Sequence, residues 1–211
     1  KIFLVPPRCD SKFFSEKNVT KDKPEILCKN QNNLLFVGNL LIAKGVDILL
    51  EAFALIIKEN PDIGLIFIGD GEEKSRLEAR AKALGIDEKV FLVGRLEYNL
   101  IPTFMYHSNI LILPSVEEGV GRVLLEAMSL KLPIVASNIG GIPLVIDDNR
   151  DGLLFEVGEV DSLKEKVFFL LNNPSYSRNI ARAANQKFLE NYEYEVSMKK
   201  FIDMYLTILE T

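Results

Sequence analysis

The stretch at residues 109–126, NILILPSVEEGVGRVLLE, joins a short apolar run to the start of a helical repeat. The run at 109–113 is followed by a proline, as is typical of a buried parallel strand, and apolar residues recur at helical spacing from Val123 onward. Glu118 and Glu126 thus flank a strand-to-helix junction. There the free N–H groups of the first helical turn and the positive end of the helix dipole attract anions, and glycines let an anion approach the backbone. The stretch predicts a site for a phosphorylated ligand.

The same alternation of apolar runs and helical repeats continues on both sides of this stretch. Strict alternation predicts the α/β class, with an open parallel sheet that carries helices on both faces. Additional helices are predicted at the C-terminus. The predicted strands are 34–37, 65–68, 90–93, 110–113, 134–136 and 153–155, and the predicted helices are 46–59, 72–84, 101–106, 122–130, 142–146, 161–171, 176–190 and 195–209.

The composition is that of a globular domain of moderate acidity. A chain of 211 residues with 48% hydrophobic content is large enough for a full core. A net charge of -5 argues against nucleic-acid binding, because affinity for a phosphate backbone needs a basic surface. Binding of a small anion needs only a few local groups and stays compatible with this charge.

Cysteine usage and hydropathy indicate the cellular compartment in which the protein is expected. Cys9 and Cys28 have no CxxC spacing and no accompanying histidine cluster, so no metal site is predicted and a reducing compartment is expected. No apolar run reaches the roughly 18 residues of a transmembrane helix, and the N-terminus lacks the charged-then-apolar layout of a signal peptide. We therefore expect a cytoplasmic location. Because the chain begins with Lys1 and enters a predicted strand at 1–5 at once, it is expected to be a piece of a longer protein.

Glycines follow nearly every predicted strand. In an open α/β sheet, ligands bind beyond the carboxyl ends of the strands, so the loops that carry these glycines are expected to share one crevice. The loop at 38–45, GNLLIAKG, places Lys44 at the mouth of that crevice. A lysine there can pair with diphosphate oxygens, although a solvated lysine before a helix is an equally ordinary interpretation of this loop alone.

Other motifs exclude some functions and leave others open. The loop GDGEEK at 69–74 lacks the third glycine of the dinucleotide fingerprint, and the chain has no Walker A sequence, so neither a nicotinamide site nor an ATPase is predicted. Glu118 and Glu126 are also compatible with a glycosidase pair, which depends on their spatial separation, or with capping and ion pairing of the helix. Glu117 is predicted to be solvated, and His107 to be structural.

Taken together, these motifs resemble the C-terminal, donor-binding half of retaining glycosyltransferases of the GT-B fold, the group 1 or family 4 glycosyltransferases. The likeness runs from about residue 34 to 210 and rests most specifically on the Glu-x7-Glu element of Glu118 and Glu126. It implies transfer of a sugar from a nucleoside-diphosphate sugar to an acceptor hydroxyl, with retention of configuration and without a metal ion or other cofactor. The sequence pattern divides the chain into an N-terminal strand and connecting segment at 1–33, a Rossmann-like domain at 34–190 and a C-terminal helix at 191–211. The resemblance assigns nucleotide-sugar binding to the domain at 34–190.

The resemblance assigns roles to individual residues. Glu118 and Lys44 would be catalytic, Glu118 beside the donor sugar and Lys44 against the leaving diphosphate, while Glu126 would bind the ribose. The backbone amides of the turn would face the sugar and diphosphate, and two residues after the third strand would contact the nucleobase. The implied donor-binding residues are Gly38, Asn39, Lys44, Arg95, Leu96, Glu118, Gly119, Val120, Gly121 and Glu126.

The chain departs from the family pattern in ways that bear on activity. Asn39 stands where arginine is common, which removes one expected diphosphate cation, and Arg122 is a partial substitute for it. The acceptor-binding domain of the family is not in this chain, so the domain alone is expected to be inactive. The implied partners are a UDP- or GDP-sugar donor and a glycan or lipid-linked acceptor, with no nucleic acid, and membrane association of the parent protein is compatible with such acceptors. The alternatives are a non-catalytic sugar-nucleotide-binding subunit and a GT-B sugar-nucleotide epimerase.

Overall fold

A computed structural model of the chain describes residues 7–209, so the predicted strand at 1–5 lies outside the described residues. Within residues 7–209, six parallel strands form one sheet in the order β3-β2-β1-β4-β5-β6. The predicted α/β class with an open, Rossmann-like parallel sheet is confirmed. The strands are β1 Asn32–Val37, β2 Ile63–Ile68, β3 Val90–Gly94, β4 Ile110–Leu113, β5 Ile134–Ser137 and β6 Leu153–Phe155.

Helices connect the strands and continue beyond the last one. Their bounds differ from the predicted ones by two residues or fewer at each end, and the described residues also contain a short helix at 25–28 that the sequence pattern did not predict. The α-helices are α1 Glu25–Cys28, α2 Val46–Glu59, α3 Lys74–Leu84, α4 Ile101–Tyr106, α5 Arg122–Ser129, α6 Ile142–Val145, α7 Val160–Asn172, α8 Pro174–Asn191 and α9 Tyr194–Leu209. No helix of the described residues is both long and apolar enough to cross a membrane.

The sheet is covered on both faces, which explains its uninterrupted apolar strands. Every residue of β2 is buried, as expected of a strand without a solvent face. One core cluster combines strand side chains with Leu124 of α5 and Phe188 of α8, and the other combines them with Phe53 of α2 and Val167 of α7. The two layers of helices thus hold the carboxyl edge of the sheet in a fixed position.

The loops at that edge pack so closely that glycine is required in them. Gly69 has φ +141°, and a Cβ built on it would lie 1.8 Å from the carbonyl oxygen of Gly38, so the loops after β1 and β2 touch. Gly45 has φ +62°, and its Cβ would lie 1.9 Å from the carbonyl oxygen of Pro114 in the loop after β4. Because β1 and β4 are neighbours where the strand order reverses, this edge is the topological switch point at which ligands bind in open α/β sheets.

The N-terminal segment is more structured than the connecting segment that we expected. β1 begins at Asn32 rather than at residue 34, and residues 9–20, which we call the strap, cross one face of the domain. Phe14 of the strap is 1% exposed within the core, and its carbonyl oxygen accepts a hydrogen bond from Ser129 Oγ at 2.6 Å. Phe13 and Phe14 are adjacent in a polar segment without periodicity, so no pattern predicted this anchor. The division of the chain at residue 33 stays a prediction.

Candidate functional site

Two loops at the switch point bring together Lys44 and Glu118. Lys44 ends the 3-10 turn Ile42–Lys44 after β1, and Glu118 lies in the loop between β4 and α5. Lys44 Nζ is 2.7 Å from Glu118 Oε2, and Ser115 Oγ donates a hydrogen bond to the same oxygen at 3.1 Å. The two charged side chains are 26% and 12% exposed, so the pair is accessible at its outer side. An ion pair of this kind places a cation beside a carboxylate at the carboxyl edge of the sheet.

Backbone hydrogen bonds fix these loops against each other. The N–H groups of Val116 and Glu117 both donate to the carbonyl oxygen of Ala43, at 3.0 and 3.2 Å. Buried Ser137 at the end of β5 donates from Oγ to the carbonyl oxygen of Ser115 at 2.6 Å. The loops after β1, β4 and β5 are thus joined, and the position of Glu118 is set by backbone geometry.

The turn before α5 exposes the amino end of that helix. Gly121 has φ 70° and ψ 78°, a left-handed conformation that favours glycine, and no side chain of the described residues caps the helix. Leu124 N–H donates to the carbonyl oxygen of Gly121 at 2.9 Å. The N–H groups at the start of an α-helix, here those of Arg122 and Val123, have no partner within the helix and can bind an anion. Gly119 and Val120 precede this end in the same turn, and Gly119 is exposed.

Glu126 lies one turn further into α5 and is 7% exposed. Its Oε1 accepts a hydrogen bond from the hydroxyl of Tyr98 at 2.9 Å. Burial raises the pKa of the Glu126 carboxyl above its ordinary value, and the Tyr98 hydrogen bond and the charge of Arg122 oppose that shift without cancelling it. Burial and the neighbouring Glu126 charge also raise the pKa of the Tyr98 hydroxyl, which therefore stays a donor at neutral pH.

The remaining predicted residues lie at the same edge without direct contacts to these carboxylates. Gly38 donates its N–H to the carbonyl oxygen of Ile68 at 3.0 Å and closes β1 onto β2. Asn39 and Arg95 are exposed, and neither side chain makes a hydrogen bond or ion pair with another described residue. Leu96 is half-buried against the core cluster that contains Leu124.

Glu117 was predicted to be solvated and His107 to be structural, so neither was expected to bind a ligand or to take part in catalysis. The Glu117 side chain is exposed, in agreement with the solvated role predicted for it. His107 Nε2 lies 2.9 Å from the carbonyl oxygen of Thr20, so this side chain links α4 to the strap. That contact fits the structural role expected of His107. No group of three or more His, Cys, Asp or Glu side chains in residues 7–209 is arranged to hold a metal ion.

Sequence reasoning missed three residues of this edge, namely Ser115, Tyr98 and Phe13. Ser115 stands three residues before Glu118 in the stretch at 109–126, and its hydroxyl group so near a carboxylate was a usable signal. Tyr98 follows Gly94, the last residue of β3, by four positions, so its place after a strand was a usable signal. Phe13 stacks on Tyr98 with ring centroids 4.9 Å apart, and its strap position gave no such signal.

Residues 18–187 match the sequence profile of the family described as "Glycosyl transferases group 1". A curated relative, the N-acetyl-alpha-D-glucosaminyl L-malate synthase of Bacillus anthracis, is 28% identical over 201 residues. The alignment covers 95% of this chain and 52% of that protein. This chain therefore spans about half the length of the relative.

Two solved structures share the fold. The C-terminal domain of a glycosyl transferase group 1 family protein, LpcC from Francisella tularensis, matches with a TM-score of 0.79 and 23% identity, over 88% of this chain and 99% of that chain. Anabaena Alr3699/HepE in complex with UDP-glucose matches with a TM-score of 0.85 and 22% identity, over 95% of this chain and 56% of that chain. At these identities the likeness establishes the fold.

Proposed function

This chain belongs to the glycosyl transferases group 1 family, and from that premise we propose that it is the donor-binding part of a glycosyltransferase. The observation that carries the proposal is the contact of Lys44 with Glu118 beside the uncapped amino end of α5. A cation, a carboxylate and free N–H groups at one switch point suit a sugar joined to a diphosphate.

The diphosphate is the part of the donor that this edge recognises by charge. In the proposed complex, Lys44 Nζ binds diphosphate oxygens, and the amides of Gly119, Val120 and Gly121 face the sugar and the diphosphate. Both interactions are charge-assisted, which makes them stronger than hydrogen bonds between neutral groups. Gly38 and Asn39 line the same side of the crevice, and the exposed guanidinium of Arg122 supplies a further positive charge at the start of α5.

We assign recognition of the sugar and of the nucleoside to the two carboxylates. Glu118 accepts hydrogen bonds from sugar hydroxyls, and Glu126 accepts hydrogen bonds from the ribose. Arg95 and Leu96 contact the nucleobase. UDP-glucose is bound by HepE, which has the same fold, so we propose a UDP-sugar as the first donor to test, with a GDP-sugar as the alternative.

The proposed reaction needs the other half of the parent protein, which binds a glycan or lipid-linked acceptor. The acceptor hydroxyl oxygen forms a bond to the anomeric carbon while the bond from that carbon to the diphosphate oxygen breaks. The departing diphosphate takes the acceptor proton, and attack on the same face retains the configuration. Lys44 stabilises the charge that develops on the leaving group, a task that a metal ion performs in other transferases. We propose a cytoplasmic location for the parent protein, with membrane association if its acceptor is lipid-linked.

A non-catalytic subunit that only binds a sugar nucleotide is the second proposal. Asn39 favours it, because an uncharged and exposed side chain stands where the family commonly places a cation. Transfer assays of the full-length parent protein distinguish the two proposals, since a binding subunit turns over no donor.

The first test is calorimetric titration of this chain with UDP, GDP, ADP and their glucose conjugates. We expect saturable binding of one nucleoside diphosphate, with a loss of affinity in the Glu126→Ala variant. A folded protein that binds none of these compounds would contradict the assignment of a complete donor site to this chain. Circular dichroism of each variant supplies the control for folding.

A further inference from the structure

Tyr98 is held at the carboxyl edge of the sheet by aromatic contacts. It begins the 3-10 turn Tyr98–Leu100 and is 48% exposed. Its ring stacks on Phe13 at 4.9 Å with an interplanar angle of 15°, and it meets Phe14 edge-on at 5.4 Å. Because Phe14 is itself buried in the core, the strap fixes one side of the Tyr98 ring. The other contact of the side chain is made by its hydroxyl, which donates to Glu126 Oε1.

This contact leaves two acceptors next to each other. The Tyr98 hydroxyl donates its hydrogen bond to Glu126 Oε1, so the hydroxyl oxygen keeps lone pairs that can accept from another donor. Glu126 Oε2 makes no hydrogen bond with another described residue. A pair of neighbouring acceptors, one on each residue, matches the two O–H groups of a vicinal cis-diol.

The charged and titratable groups around this pair come from three elements. Arg122 lies one turn earlier on α5, and its charge favours the ionised form of Glu126. Cys9 and Asp10 approach from the strap, and burial raises the pKa of the Cys9 thiol to about 12, so Cys9 is neutral at physiological pH. The Tyr98 hydroxyl is the donor that reaches the carboxylate from the β3 side. Its removal therefore leaves Glu126 with a higher pKa.

We propose that Tyr98 is a specificity-determining residue of the nucleotide site, which orients Glu126 and itself accepts the 2′-hydroxyl of the ribose cis-diol. This inference rests on the proposed function of the same site. The selected ligands are ribonucleoside diphosphates, and their 2′-deoxy forms bind more weakly because one of the two acceptors is left unpaired.

The test compares the wild type with Tyr98→Phe, which keeps the ring and its stacking and removes the hydroxyl. The matched control is Tyr176→Phe, since the Tyr176 hydroxyl also makes a 2.9 Å hydrogen bond and its ring also meets a phenylalanine, Phe169, edge-on. Titrations use UDP, GDP and their 2′-deoxy forms between pH 5 and pH 8. This range lies between the ordinary pKa values of glutamate and cysteine.

We expect Tyr98→Phe to weaken binding of the ribonucleotide about tenfold and binding of the 2′-deoxynucleotide much less. We also expect the loss of binding on acidification to begin at a higher pH in Tyr98→Phe, and Tyr176→Phe to match the wild type. Equal weakening of both nucleotides without a change in the pH profile would mean a merely structural role and overturn the inference, as would a Tyr98→Phe variant that binds like the wild type. A folded wild type that binds no nucleotide would overturn the proposed function, and this inference with it.

Discussion

Lys44 Nζ lies 2.7 Å from Glu118 Oε2, although 74 residues separate them in the sequence. The pair joins the loop after β1 to the loop after β4, the two central strands at which the strand order reverses. In the proposed site, an entering diphosphate would compete with the Glu118 carboxylate for the lysine. Donor binding in the proposed site therefore exchanges one anionic partner of Lys44 for another and leaves Glu118 available to sugar hydroxyls.

Lys44→Gln is expected to weaken binding of UDP about tenfold and to leave binding of uridine unchanged. The reason is that, in the proposed complex, the diphosphate is the only part of the ligand that Lys44 binds. Calorimetry with both ligands measures the difference. Lys164→Gln is the matched control, since Lys164 is 23% exposed and also pairs with a glutamate, at 3.2 Å. An equal loss of uridine and UDP affinity would assign Lys44 to the structure of the loop instead.

Glu118→Gln is expected to act on the sugar and not on the nucleotide. The ratio of UDP-sugar affinity to UDP affinity should fall about fivefold, because an amide accepts hydrogen bonds less strongly than a carboxylate. UDP itself should bind as well as to the wild type or more tightly, since Lys44 loses its competing partner. Glu117→Gln makes the same change of charge one residue earlier, on an exposed side chain, and should alter neither affinity. Loss of UDP affinity in Glu118→Gln alone would contradict this division of roles.

The fold was predictable because its signals are local. The β4–α5 stretch at 109–126 shows an apolar run, a glycine turn and a helical repeat in succession, and each can be recognised without knowledge of the rest of the chain. A parallel sheet that is buried on both faces makes such runs nearly free of polar residues. The positions of Lys44 and Glu118 at the carboxyl edge follow from the same local pattern.

The contacts within the site were not predictable, because they depend on tertiary arrangement. The ion pair of Lys44 with Glu118 requires that β1 and β4 be neighbours, and alternation alone does not fix the strand order. The hydrogen bond of Tyr98 to Glu126 requires the loop after β3 to approach helix α5. The stacking of Phe13 on Tyr98 requires that the strap cross this face, which a polar segment without periodicity does not indicate.

Asn39→Arg is expected to restore a diphosphate cation and to tighten UDP binding about fivefold, with no effect on uridine. Asn172→Arg serves as the control, because Asn172 is the exposed last residue of α7 and leads to α8 at the opposite edge of the sheet. An Asn39→Arg variant without any gain in affinity would show that the asparagine is not what limits diphosphate binding in this chain.

Phe14→Ala tests whether the strap is part of the folded domain. Phe14 is 1% exposed, so its truncation should lower the free energy of unfolding by about 3–5 kcal/mol, the usual cost of removing a buried phenylalanine. Urea denaturation measures the change. The control Phe169→Ala, at a side chain that is 44% exposed, should cost less than about 1 kcal/mol. Similar small losses in both variants would mean that the strap contributes little to stability, as a connecting segment would.

Glu126→Gln is expected to stabilise the protein at neutral pH and to weaken nucleotide binding. Burial raises the pKa of the Glu126 carboxyl above its ordinary value of 4.5, so the folded state binds this proton more tightly than the unfolded state. Stability therefore falls as the pH rises from the ordinary glutamate pKa to the higher pKa of the folded state, and the loss persists above it.

Urea denaturation of the wild type and of Glu126→Gln, from the ordinary glutamate pKa up to neutral pH, measures this effect on stability. The glutamine variant should exceed the wild type in stability at neutral pH, and the difference should shrink on acidification as Glu126 becomes protonated in the wild type. Asp151, whose pKa burial also raises, is present in both proteins and so cancels from the comparison. A difference that does not vary with pH would assign the stabilisation to packing. The expected result instead means that the ionised Glu126 carboxylate destabilises the fold, a cost that is common where a residue serves binding and not stability.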